Sequence, residues 1–129
     1  MRIRDAGADA VCVSNHGGRQ LDSAPAAIQM LPLIRAAVGA DFPLLFDSGI
    51  RNGEGVLKAL ASGADFVLIG RPFLYAMAAD GYPGLQQLIE LFRSQIDNSL
   101  AQLGCRDIDK IDSSYMLNGL EAGIWVEPE

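Results

Sequence analysis

The stretch VSNHGGRQLD, residues 13–22, holds the only histidine of the chain, His16. Gly17 and Gly18 follow it, and Arg19 comes next. An imidazole with an ordinary pKa of about 6.5 can accept a proton near neutral pH. Two glycines remove side-chain bulk, so a ligand can approach the backbone closely. The planar fork of Arg19 matches a carboxylate. A base and a carboxylate clamp on one loop suit chemistry at the carbon next to a carboxylate. The same residues also fit a structural histidine in a Gly-rich turn, and residue types alone leave both readings open. No Ser-His-Asp set and no His/Cys cluster with metal-ligand spacing competes with them.

Two further stretches could hold an anion. DSGIRNG, residues 47–53, and IGRP, residues 69–72, each end an apolar run with glycine and arginine and lead into a helical pattern. Backbone N–H groups at a helix start, with glycines before them, favour a phosphate. Arg51 and Arg71 add charge in a geometry suited to phosphate oxygens. The plainer alternative is two ordinary loops whose arginines pair with surface carboxylates.

These loops need a scaffold. Three short apolar runs read as strands: Ala10–Ser14, Pro43–Asp47 and Phe66–Gly70. They alternate little, as strands buried on both faces of a parallel sheet do. Helical spacing covers Ala27–Val38, Glu54–Ala61, Pro72–Ala79 and Leu85–Leu103. AGADAVCVS, residues 6–14, echoes SGADFVLIG, residues 62–70, which suggests repeated βα units. A doubly wound sheet or a (β/α)8 barrel would both supply this order. The polar loops all follow strand C-terminal ends, the active-site face of a barrel, and this favours the barrel. Three strands make about the last part of one, since a full barrel takes roughly 250 residues.

Composition narrows the class. The chain has 129 residues, half of them apolar, and a formal net charge of −6. One domain is expected, with final βα units over residues 6–104 and a tail over 105–129. The acidic balance argues against a nucleic-acid partner. Cys12 and Cys105 are expected to be free, partly buried thiols, which suits a cytoplasmic location. No apolar run is long enough to span a bilayer, and no apolar leader opens the chain. Arg2–Ala6 read as the end of a helix begun earlier.

SNHGGRQLD, followed by DSGIRNG and GADFVLIGRPFLYA, resembles the FMN-dependent α-hydroxy acid dehydrogenase and oxidase family. That family includes flavin-type L-lactate dehydrogenase, lactate oxidase, glycolate oxidase and mandelate dehydrogenase. The likeness runs from about Ala6 to Leu117. The phosphate loops alone are shared with other FMN barrels, such as relatives of inosine-phosphate dehydrogenase, but SNHGGRQLD counts against those. The resemblance implies the C-terminal part of a (β/α)8 barrel with FMN as cofactor. It implies that His16 is the base, taking a proton from the α-hydroxyl or the α-carbon of the substrate. It implies that Arg19 pairs with the substrate carboxylate. Asp47, Gly49 and Arg51, with the intervening Ser48 and Ile50, are similar to the loop that holds the FMN ribityl chain and phosphate. Gly70 and Arg71 are similar to a second phosphate loop. The substrate would be a small L-2-hydroxy acid, oxidised to the 2-oxo acid. The electron acceptor would be quinone, cytochrome or oxygen. Membrane attachment in some relatives would be peripheral.

The resemblance also exposes gaps. The family's lysine near flavin N1, the aspartate that orients the base, its tyrosines and most of the ring pocket have no counterpart in this chain. Two expectations follow. The 129 residues alone should be catalytically inactive, and they should self-associate through unpaired strand edges. The competing reading is a non-catalytic piece that binds FMN or phosphate weakly, or assembles with another chain.

Overall fold

A computed structural model of the chain describes residues 2–117. Its elements run α1 (Arg2–Asp5), β1 (Val11–Val13), a 3-10 turn (His16–Gly18), α2 (Ala27–Val38), β2 (Leu44–Phe46), α3 (Gly53–Ala61), β3 (Phe66–Val67) and α4 (Arg71–Leu103). Two 3-10 turns, Ile108–Lys110 and Ser113–Tyr115, follow. The tail thus forms short turns up to residue 117, and the rest of it lies outside the described residues.

The three strands are parallel and in sequential order, β1-β2-β3. Right-handed crossovers in that order put α2 and α3 on one face of the sheet. Packing follows: Leu31 of α2 and Leu44 and Phe46 of β2 are fully buried, joined by Val13, Ile50 and Phe92. Each such side chain contributes about 1.5–3 kcal/mol by leaving water.

The other face is open. Cys12 pairs with Leu45, and Leu45 with Phe66, so these three form one row across the sheet. Cys12 is exposed and Phe66 is 61% exposed. Leu68, two residues after Phe66, is also exposed. Burial on both faces is therefore not observed, and Cys12 is not the partly buried thiol expected from sequence. An apolar run reflects the neighbours a strand is suited to, and among the described residues nothing covers this side.

The long helix α4 is broken at Asp80 and Gly81, whose backbones leave helical geometry (Gly81 φ 54°). This break divides the two helical patterns read from the sequence. Beyond it, α4 packs on α3 so closely that a Cβ at Gly53 would lie 2.7 Å from the Phe92 carbonyl oxygen. The Gly53 N–H donates to Gln95 Oε1 at 2.8 Å, which satisfies the first amide of α3.

Arg35 ties together the end of the sheet opposite the polar loops. It donates to the carbonyls of Gly39 (2.8 Å), Phe42 (2.9 Å) and Gly63 (2.8 Å). It also reaches Asp65 Oδ2 at 2.5 Å, and the same oxygen accepts the Leu44 N–H at 2.7 Å. Asp65 is 56% exposed, so the ion pair itself adds little. The carbonyl bonds carry the effect, since bonds from a charged donor contribute more than neutral ones. Arg35→Met should therefore lower the unfolding free energy by about 3 kcal/mol. A urea titration followed by circular dichroism measures this, and a midpoint equal to the parent's would refute it.

Candidate active site

The chain leaves each strand at its C-terminal end into a polar loop, and the three loops meet. Together they line an open cleft of about 390 Å³. Its walls include His16 and Arg19 after β1, Asp47, Ser48, Gly49, Ile50 and Arg51 after β2, and Gly70 and Arg71 after β3. All nine residues singled out from the sequence thus lie at one place. Parallel pairing accounts for this, because neighbouring strands ~4.8 Å apart release their loops side by side.

The turn carrying His16 is backbone-strained. His16 has φ 54°, Gly17 φ 66° and Gly18 φ 78°. Glycine accepts this region freely, whereas a residue with a Cβ gives up about 1–2 kcal/mol there. A Cβ at Gly17 would also push the Arg71 guanidinium from its place. Arg71 Nη2 instead donates to the Gly17 carbonyl at 3.0 Å. His16 and Arg19 are both exposed at the cleft. Among the described residues, no hydrogen bond holds the His16 imidazole.

The β2 loop faces this turn. The Ser48 hydroxyl accepts the N–H groups of Asn15 and Gly17, each at 3.2 Å. It donates to Asp47 Oδ1 at 2.6 Å. The Asp47 N–H is itself bonded to the Val13 carbonyl at 3.1 Å. Sequence reasoning grouped Ser48 with the phosphate loop and did not anticipate this bridge. No sequence signal marks it, because it depends on β1 and β2 being neighbours.

The anion-binding features differ between the two helices. At α3, Asn52 caps the Gly55 N–H at 2.8 Å and Gln95 takes the Gly53 N–H, so part of that helix start is already satisfied. At α4 no side chain caps the start, and Pro72 stands in its first turn. A Cβ at Gly49 or Gly70 would meet nothing within 4 Å, so both face open space. Arg51 bonds only its neighbouring Ile50 carbonyl, at 3.3 Å. Among the described residues neither Arg51 nor Arg71 pairs with a carboxylate, against the plainer reading of these loops. Two carboxylate-free arginines and two uncrowded glycines fit a group that ends in a phosphate. Nearby, Cys12 is exposed but loses part of its hydration to its neighbours, and it lies close to the Asp47 charge. Both effects raise its thiol pKa, so it stays protonated at neutral pH and is a poor nucleophile.

A family model described as FMN-dependent dehydrogenase matches residues 1–118. The chain belongs to the FMN-dependent dehydrogenase family. It is 47% identical to L-lactate oxidase from Alicycliphilus denitrificans over 109 residues, covering 84% of this chain and 30% of that one. It is 46% identical to L-lactate dehydrogenase from Allorhizobium ampelinum over 114 residues, covering 88% of this chain and 30% of that one. Among solved structures, the monotopic membrane protein (S)-mandelate dehydrogenase superposes with a TM-score of 0.86 at 45% identity. That match covers 91% of this chain and 31% of the other. This member of the FMN-dependent dehydrogenase family thus spans under a third of the length of these relatives. Its family is one of oxidoreductases whose cofactor is FMN. No helix among the described residues is long and apolar enough to cross a membrane.

Proposed function

We propose that this chain is the phosphate-holding and proton-accepting part of an FMN-dependent enzyme that oxidises a small, lactate-like L-2-hydroxy acid to the 2-oxo acid. One observation carries the reading: His16 and Arg19 share a cleft with Gly49, Arg51, Gly70 and Arg71. The sheet is then an arc of a (β/α)8 barrel, a reading supported by sequential parallel strands with helices on one side.

In this scheme Gly49, Arg51, Gly70 and Arg71 hold the phosphate of FMN, and Asp47, Ser48 and Ile50 shape the loop beside it. FMN, when bound, supplies the two-electron acceptor. Arg19 pairs with the substrate carboxylate and thereby orients the carbon that bears the hydroxyl. His16, exposed at the cleft, accepts the proton that the substrate loses. An electron acceptor such as quinone, cytochrome or oxygen would complete the cycle. A cytoplasmic enzyme with peripheral membrane association is compatible with this reading.

The open face of the sheet favours a complementary reading for the isolated 129 residues, namely a binding piece that assembles with another chain and turns nothing over alone. Both readings require the phosphate site, so that site is the first to test. The chain should bind FMN more tightly than riboflavin, which lacks the phosphate, by quenching of flavin fluorescence. Arg51→Ala should weaken FMN binding ~10–100-fold and leave riboflavin unchanged, the effect of one charge-assisted contact. Equal affinity for FMN and riboflavin would remove the phosphate site from this cleft.

A further inference from the structure

Among the described residues only two without a glycine backbone hold a positive φ: His16 at 54° and Ser48 at 82°. They stand on different loops, and those loops touch. The oxygen of Ser48 accepts the two amides that flank His16, those of Asn15 and Gly17. Its proton goes to Asp47 Oδ1. A hydroxyl has one donor and two acceptor sites, so all three are occupied. Strained backbone persists only where its surroundings over-determine it, and it gathers at functional sites. Glycine would adopt φ 82° at position 48 without strain. What serine adds there is the oxygen that reaches the His16 turn.

We propose that Ser48 is a positioning residue for His16: it fixes the turn that carries the imidazole and locks that turn to the loop assigned to the phosphate. The inference rests on the reading of His16 as the base and says how that base is held without a bond to its ring. Arg71 makes the second tie, through the Gly17 carbonyl. The three loops therefore move as one unit, and the imidazole keeps a set position relative to the anion site.

Residue-resolved hydrogen–deuterium exchange on the 129-residue chain tests this, with Ser48→Ala and Ser48→Gly beside the parent. In both variants the Asn15 and Gly17 amides should exchange about tenfold faster, as expected for a lost hydrogen bond. The Leu44 amide, held by Asp65 at 2.7 Å, should keep its parental rate. Unchanged exchange at Asn15 and Gly17 would overturn the proposal, and so would an equal rise at Leu44, which would mean general loosening. Should Ser48→Ala fail to fold, Ser48→Gly carries the comparison alone, because it removes the oxygen and relieves the backbone. His16→Gln is the control that separates the two readings. It should leave both amides protected, so a failed base assignment does not alter the readout for Ser48.

Discussion

His16→Gln should lower the rate of flavin reduction by L-lactate ~10²–10⁴-fold, the range that a positioned general base contributes. The measurement needs a complete enzyme, such as this chain joined behind the corresponding upstream part of the Alicycliphilus L-lactate oxidase. Anaerobic bleaching of the flavin gives the rate. Glutamine keeps a polar side chain of comparable reach but accepts no proton under these conditions. The large effect is expected because no other group at the cleft can substitute. His16 is the sole histidine. The Asp47 carboxylate is engaged by the Ser48 hydroxyl. Cys12, on β1, holds its proton at neutral pH. FMN should remain bound, since the phosphate contacts come from other residues. A variant that reduces flavin near the parental rate would strip His16 of the base role.

The second large effect concerns the chain by itself. The 129 residues should sediment as oligomers. Their sheet ends on both sides in an unpaired strand, β1 and β3, among the described residues. Such edges present unpaired N–H and C=O groups to any neighbour. Beside them lies apolar surface of a kind that monomers seldom expose in one place. Phe66 and Leu68 stand on the open sheet face, and Leu74, Tyr75 and Met77 are exposed on α4. Replacing Phe66 and Leu68 by lysine should shift the distribution toward monomer while leaving the helical circular dichroism unchanged. The row of buried Val13 and Phe46 with partly buried Val67 on the opposite face is not touched by these changes. A parent chain that sediments as a single monomer across concentration would refute the prediction.

The helices were the most legible part of the fold. Ala27–Val38 is observed with the bounds that its periodicity implies, and α3 begins one residue earlier than read. That residue is Gly53, which directly follows the Asn52 cap, a local signal that periodicity alone passes over. The bond from Gln95 that satisfies the Gly53 N–H is long-range and leaves no local trace. The strands are shorter than their apolar runs because ladder pairing stops where each chain turns into its loop. Pairing covers Val11–Val13 against Leu44–Phe46, and only Phe66 and Val67 extend it. For the site, the position of each residue was legible, because glycine and arginine directly after a buried run mark a loop at a strand end. The roles of Ser48 and Arg71 toward the His16 turn were not, since they arise only when separate loops become neighbours.

The row of Cys12, Leu45 and Phe66 also equips the chain with a chemical footprint. Cys105 is buried and Cys12 is exposed, so the described residues offer one addressable thiol, set on the uncovered face at the edge strand β1. A thiol reagent reads that exposed thiol ahead of the buried one, slowly near neutral pH and faster as the pH rises toward its raised pKa. Whatever closes over the sheet, whether a second copy or the rest of a barrel, takes Cys12 out of reach. The rate of its labelling thus counts how much of the population has found a cover, with no introduced residue and no assumption about what the cover is.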